Sequence, residues 1–593
     1  MLKTAVGLIL FFSPFLLLYT SRNKITAFFT IVAGVIGTNL LIATTTQFFH
    51  VFDYTTVLLC HLLIFLFVLS RLDPHSLPRK FKFEKSNFDG YLLFVILIAL
   101  IDLYAIHYHY TGKYTLATTQ QYLDIKNMRY PYPYFVDEWN AIAAIKYSIE
   151  SKSLPLLSSF QVSFINYEFA FHSLLSEIMV LLNLNPVTQY TLLTIATGTL
   201  IVILIYGLQR ITQISAPIAA ISSLSMLYVT SGANLPGLWT LMPVTLGIIS
   251  ILLNLFFLET KDTRFIMLTA FLTLIFYPPL FPFLALSLIV FLCRASTMAN
   301  EMKMNMIKNY FLLALGAGLL LMGIYVLSLG SVKEMIAHIT TKLFYPTFTP
   351  EAIPRFILYY IIPIPILVFA AIAGVFQFKE NLRIILLTVL GLGYWIVYSF
   401  LTTRIIIEYG RVVYFTSVLM MILSGSGMQF CLQSLTKINF MGQNMLLKYG
   451  PPVLLGLFLI STPFYTHSDR WQHLKLYNYT TKEYYLPAAP ANQYLQPDDL
   501  KFFQYKRHQR FLSLPWKGTV IGTATDNYPL CTKSGTISFN KDMYCQFMQA
   551  DCQGKYRMAS NLVIQYVYSH PFTSPYYTFI DQSKEGLTLY KVE

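Results

Sequence analysis

The chain has 593 residues, 55% of them hydrophobic and only 12% charged, with a formal net charge of +14 and a mean hydropathy of +0.55. A soluble globular chain carries about 25% charged residues, so that class is excluded, and long apolar runs in place of short alternating segments exclude an outer-membrane barrel. The basic surplus is scattered over short loops with no basic-aromatic module, which removes nucleic acid as a partner and leaves a polytopic α-helical membrane protein.

Residues 1–20 set Lys3 ahead of an apolar core, but Ser21-Arg22-Asn23-Lys24 stands where a small-x-small cleavage site belongs, so the segment reads as a retained first span. Apolar runs at 3–20, 25–46, 53–70, 91–109, 188–208, 214–230, 238–258, 265–277, 280–293, 309–329, 355–376, 384–402, 412–433 and 449–466 predict about 14 transmembrane helices. The eighth and ninth are short and meet at Tyr277-Pro278-Pro279. Lys261 and Arg264 precede them and Arg294, Lys303 and Lys308 follow, so a re-entrant or short pair is preferred to one kinked span.

The same charge count puts the N-terminus outside and every basic cluster, from Arg22/Lys24 and Arg71–Lys85 to Arg210, Lys379/Arg383 and Lys437/Lys448, in the cytoplasm. It closes only if residues 168–184, with Glu168, His172 and Glu177, lie at the outer interface without crossing. The loop 110–187 and everything beyond about residue 467 are then extracytoplasmic, facing the periplasm if the host is bacterial. The expected domains are additional N-terminal helices at 1–90, a transmembrane domain at 91–466 and an outer domain at 467–593.

In that outer domain the β-prone runs 519–522, 562–568 and 587–592, with a helix opened by Gln496-Pro497-Asp498-Asp499-Leu500, predict a small mixed α/β fold with Asp498 or Asp499 near the N-cap. Cys531, Cys545 and Cys552 fall together, and one disulfide, Cys531 to either Cys545 or Cys552, suits an oxidising compartment.

The loop 110–187 far exceeds the ordinary connection of about 4–6 residues. Within it, Asp137-Glu138 precedes Ile142, Ile145 and Ile149 at helical spacing, with Lys146, Glu150 and Lys152 around them, which predicts an amphipathic helix along the membrane surface. Asp137 reads as an N-cap and Glu138 as a first-turn acid; a capped carboxylate is also an oriented one. Arg404 and Arg411 flank the outer loop TTRIIIEYGRV against the charge bias, and their planar forks suit phosphate oxygens. Snorkelling, or pairing with Glu408, is the alternative. Asp102, inside the fourth span, is a functional candidate because intramembrane acids are costly.

The ordered set of Asp137-Glu138 before a helix ending in Ser153-Leu154-Pro155, the run Asn166–Leu175, the break at Tyr277-Pro278-Pro279, Tyr409-Gly410-Arg411 and an outer domain running from YLQPDDLKFF to EGLTLYKV resembles the GT-C superfamily. These are membrane glycosyltransferases that use polyprenyl-phosphate-linked sugars. The resemblance covers roughly residues 90–593. It implies a GT-C-like fold and a hexosyl- or pentosyltransferase. Asp137 would be the general base or a metal ligand, Glu138 a metal ligand or orienting partner, Arg404 and Arg411 the donor-phosphate site, and Glu168 and His172 the site lining. The cofactor it allows is a divalent metal, Mg or Mn. The partners are a polyprenyl-phosphate-linked sugar in the lipid and a glycan, lipid or protein acceptor.

Two departures bear on the substrate. The loop Ser231–Gly237 carries no acid where oligosaccharyltransferase-type members have a second acidic motif, and Asp469-Arg470-Trp471 stands in place of a Trp-Trp-Asp acceptor signature. Transfer of a single sugar from a monophosphate lipid fits better than oligosaccharide transfer. The rival readings are a transporter or lipid flippase, and a catalytically inactive scaffold.

Overall fold

The computed structural model describes residues 2–19, 21, 23–72, 89–108, 112–115, 122–125, 132–133, 136–156, 168–228, 240–294, 308, 312, 316, 344–346, 365–407, 409–437, 443–466, 476–478, 483–485, 495–532, 542–583 and 586–593. The helices run in chain order α1 (Leu2–Phe12), α2 (Lys24–Phe48), α3 (Tyr54–Arg71), α4 (Gly90–Tyr108), α5 (Val136–Ser151), α6 (Phe169–Leu182) and α7 (Pro186–Ile211). Next come α8 (Ala216–Leu224), α9 (Pro243–Thr260), α10 (Thr263–Phe276), α11 (Phe281–Arg294), α12 (Pro365–Val375), α13 (Phe378–Phe400), α14 (Tyr409–Lys437) and α15 (Gln443–Thr466). The C-terminal helices are α16 (Pro497–Phe503), α17 (Pro515–Thr525), α18 (Asp542–Gln549) and α19 (Cys552–Asn561).

Against the expected fourteen spans, six described helices are long and apolar enough to cross a membrane, and seven more apolar helices are shorter. The segment 309–329 and the loops 231–237 and 330–353 lie outside the described residues, apart from isolated positions. The chain divides into two compact units. One holds residues 1–41, 58–106 and 194–471, the other 42–57, 107–193 and 472–593.

In the first unit, α9 and α14 are mostly buried in protein while α3 shows most of its surface. Small residues let α12 and α14 touch. A Cβ built at Gly427 would overlap the Ala370 carbonyl oxygen, and one at Gly374 would overlap that of Leu423. Without a hydrophobic force between helices in lipid, such backbone-to-backbone approach is what favours association.

The break between α10 and α11 falls at Tyr277, as the Pro-Pro run predicts. Tyr277 packs against Gly247 in the second turn of α9, whereas Phe291 at the far end of α11 lies under Arg383, which bridges to Glu259 at the end of α9 at 2.6 Å. The two helices therefore run up and back as a short pair. The ion pair Arg210–Asp89, with Tyr206 donating to the same carboxylate at 2.6 Å, joins two more loops that the charge count assigns to one side.

The second unit has two short hairpins, β1 (Gly112–Thr115) with β2 (Tyr122–Ile125) and β5 (Leu476–Asn478) with β6 (Glu483–Tyr485). Strands β7 (Arg510–Ser513), β8 (Tyr528–Pro529), β9 (Tyr566–Ser569), β10 (Tyr577–Gln582) and β11 (Thr588–Val592) form one mixed sheet in the order β10-β11-β9-β7-β8. The run Thr519–Gly522, expected as a strand, is instead the middle of α17. Its β-branched residues are wholly buried, and the segment is the crossover between the parallel strands β7 and β8. A parallel pair needs such a crossover, and that need outweighs a weak local propensity.

Asp499 sits at the third helical position of α16, not at the N-cap, and its carboxylate accepts from the Gln496 backbone N–H at 2.8 Å. It also meets Lys517 of α17 at 2.6 Å with both side chains fully buried. Burial raises the Asp499 carboxyl, while Lys517 opposes that shift. All six cysteines are free, which corrects the expected disulfide. Cys531 is enclosed in the domain core, where burial pushes its thiol up to about 12.

Two outcomes test this packing. Gly427→Leu should destabilise the detergent-solubilised protein by about 1–3 kcal/mol through overpacking, read as a lower thermal unfolding midpoint. Lys517→Met should cost about 3–5 kcal/mol by leaving Asp499 buried without its cation, and Asp499→Leu in the same chain should recover some of that loss.

Candidate active site

The acid pair opens α5. Tyr132, in the Tyr-Pro run before the helix, lies with its ring 6.2 Å from that of Trp139, which is fully buried. An apolar residue ahead of a helix packed on one in its first turns fixes the direction in which the chain enters. The helix starts at Val136, so Asp137 and Glu138 stand inside its first turn rather than at the cap. Both still gain from the positive end of the helix dipole. Neighbours on a helix point about 100° apart, and the two carboxylates part accordingly. Asp137 is partly exposed, whereas Glu138 is 2% exposed.

The surroundings differ from a helix lying on lipid. Ile142 and Ile145 are wholly enclosed in protein, because α5 packs against α6 and α17. The 14-residue helix α6 is about 21 Å long, too short for about 30 Å of hydrocarbon, and nearly all its side chains, Glu177 included, are buried. The sequence pattern predicts this helix at the interface; it lies within the protein because its apolar residues cover its whole circumference.

Glu138 turns into this interior, where it and Glu168 both act electrostatically on Tyr190. The Glu168 carbonyl holds the buried His172 imidazole, and burial drives that ring down to about 3, so it is neutral at physiological pH. Trp139 Nε1, Asn140 Oδ1 and Ser173 Oγ are buried with no hydrogen-bond partner among the described residues. Such atoms are rare in folded proteins and mark places that take water or ligand. Glu138, Glu168 and His172, which the sequence places in two separate segments, thus belong to one polar interior.

The arginines belong to the first unit. Arg411, in the first turn of α14, donates to the Tyr277 hydroxyl at 2.9 Å, and its guanidinium carbon lies 5.3 Å from that ring's centre. The structure so joins two motifs, Tyr277-Pro278-Pro279 and Tyr409-Gly410-Arg411, that are 134 residues apart. Arg404 stands on strand β4 (Thr403–Ile405) opposite Tyr345 of β3 (Phe344–Pro346). Its side chain and Glu408 lie outside the described residues. The loop that follows is held by the Tyr398 hydroxyl, which donates to the Ile405 carbonyl at 2.8 Å and also contacts that of Ile407. Ile406 within it has φ 61°, a left-handed setting that a β-branched residue rarely takes.

An open cavity of about 360 Å³ lies at the other end of α5, lined by Asp53, Lys146, Glu150, Lys152, Met179 and Asn183 among others. Glu150 is thirteen residues from Asp137, or about 20 Å along the helix, so this cavity is separate from the acid pair. Lys152 pairs with Asp53 at 3.3 Å. The Thr56 backbone N–H first, and this lysine to a smaller extent, hold the Asp53 carboxyl below its usual value.

The acid pair does not fit a divalent metal. Its two carboxylates diverge, and among the described residues no group of three or more His, Cys, Asp or Glu is arranged to hold one. Sequence reasoning missed Tyr190, hidden in an apolar span, and the role of Trp139. The one signal for Trp139 was its place three residues into the helix behind a Tyr-Pro run.

No family model matches the chain, and no curated protein sequence does. Among solved structures it is similar to the oligosaccharyltransferase of Archaeoglobus fulgidus. The complex with Zn and sulfate is 11% identical with a TM-score of 0.44, over 84% of this chain and 73% of that one. The form tethered with an acceptor peptide containing the NVT sequon is 12% identical with a TM-score of 0.44, over 86% and 75%. Superpositions this loose assign no residue and no activity.

His172 supplies a test of the polar interior. Because its folded value lies below the ordinary 6.5, its stabilising contribution is present above about pH 6.5 and drains away as the pH falls from there toward 3. The thermal midpoint of the wild type should fall over that window, and His172→Gln should flatten the fall.

Proposed function

We propose that the chain is a GT-C-like membrane glycosyltransferase that moves a single sugar from a polyprenyl-phosphate donor to a hydroxyl acceptor at the extracytoplasmic face. The observation that carries this reading is the placing of Asp137. It is a partly exposed carboxylate in the first turn of α5, on a helix packed against α6 and α17 of the C-terminal domain. Transfer forms a bond from the acceptor oxygen to the anomeric carbon and breaks the bond from that carbon to the phosphate oxygen. The hydroxyl proton passes to Asp137 and the electron pair leaves with the lipid phosphate.

Glu138, buried beside Tyr190, orients the start of the helix and takes no proton from the acceptor. Glu168 and His172 line the interior behind it. Arg404 and Arg411 are the cations assigned to the donor phosphate, since a guanidinium meets two phosphate oxygens at once. No step is routed through a metal.

The test is Asp137→Asn in the purified protein in lipid, supplied with a panel of polyprenyl-phosphate-linked hexoses and pentoses and followed by release of the lipid phosphate. A positioned general base contributes about 10²–10⁴-fold. Turnover should fall by that much with the unfolding midpoint unchanged. Equal turnover in wild type and variant overturns the role of Asp137. No turnover of any donor by the wild type favours the transporter or scaffold reading.

A further inference from the structure

The helix that carries the acid pair is locked in rotation by a lysine that caps another helix. Lys146 Nζ donates to the Thr523 carbonyl at 2.9 Å and pairs with the Asp526 carboxylate. Thr523 lies in the last turn of α17, and Asp526 is its C-terminal cap, in the left-handed conformation. A helix C-terminus presents unsatisfied carbonyls and partial negative charge, so an ammonium supplied from α5 answers both. The lysine side chain is 17% exposed and the Asp526 carboxylate 44%, so the ion pair is partly screened and the carbonyl contact is the more enclosed of the two. Seven residues back, the Trp139 carbonyl lies 3.5 Å from the Thr523 hydroxyl, which gives its proton to the Thr519 carbonyl at 2.8 Å. Positions seven apart share one helix face, so Thr523 packs against the same stripe of α5 that carries Lys146.

Asp137 lies nine residues from Lys146, which on an ideal helix is about 180° round. The grip therefore turns Asp137 to the face opposite α17. Ala141 and Ala144, four and seven residues on, share that face and are buried at 5% and 6% exposure, whereas Asp137 at its N-terminal end is partly exposed. The buried pair Asp499–Lys517 ties α17 in turn to α16.

We propose that Lys146 is a positioning residue, which sets the rotation of α5 through the C-terminus of α17 and so aims Asp137 at the acceptor. This rests on the reading of Asp137 as the base, but its geometric half can be tested without activity. Asp137→Cys, Ala141→Cys and Ala144→Cys are each made in the full-length protein, with Lys146 intact and with Lys146→Met. Labelling by a water-soluble maleimide is followed at the introduced position by peptide mass. The expected result is that Lys146→Met changes the rate at 137 relative to 141 and 144 by at least about fivefold, whereas Lys146→Arg does not. Unchanged relative rates overturn the proposal.

Should Lys146→Met fail to fold, Asp526→Asn keeps the carbonyl contact and removes only the ion pair. It should shift the pattern in the same direction by less, and no shift again overturns the proposal. In the donor assay, Lys146→Met should lower kcat at least tenfold with KM nearly unchanged, and Lys146→Arg should restore it. A labelling shift without this loss of kcat overturns the aiming role. Failure of Asp137→Asn to lower turnover, with the labelling shift present, overturns the assignment of the base and leaves the lock standing.

Discussion

Everything around the acid pair depends on one charge meeting one helix end. Lys146 comes from a long loop and Thr523, in the last turn of α17, from 377 residues further on, yet the two meet within one compact unit. In free energy a single half-buried lysine contact is modest. Its weight is geometric, because it fixes which face of a 16-residue helix meets α17. The buried pair Asp499–Lys517 has the same role a layer further in, fixing the helix that does the gripping.

The polar interior behind that helix is costly. Glu138, His172, Glu177 and Tyr190 are buried where apolar side chains would pack more cheaply, and Glu138 and the half-buried Glu168 both act on Tyr190. Titratable groups placed against solvation in this way cluster where chemistry is done, and the one acid of the pair that keeps contact with water is Asp137. The neutral state of His172 has a plain cause: no solvent reaches it to stabilise an imidazolium. It can offer or accept a hydrogen bond but carries no positive charge.

The first unit is held together differently. Glycines at the α12–α14 contact let two backbones approach, and polar bridges such as Arg383–Glu259 join its helices. The Pro-Pro break at Tyr277 serves this unit twice. It turns a short helix pair back on itself, and it presents the tyrosine that holds Arg411. Strain at Ile406, next to Arg404, is contained by the three-point grip of the Tyr398 hydroxyl on its flanking backbone, and such strain tends to sit where a loop has work to do.

How much of this was legible depends on how local the cause was. Periodicity placed the break at Tyr277 and the helix that carries Asp137 and Glu138, since each of those signals lies within about twenty residues of sequence. The sequence alone could not show that Thr519–Gly522 is helical, because only the parallel pairing of β7 with β8 demands a crossover there. Nor could it show that α5 is enclosed rather than laid on lipid, since an apolar stripe reads the same against either partner. The separation of Asp137 from Glu138, the gathering of Glu138, Glu168 and Tyr190, and the meeting of Lys146 with α17 were decided by the tertiary structure. Each is a contact between segments that no periodicity connects, and it exists only once the helices have been packed.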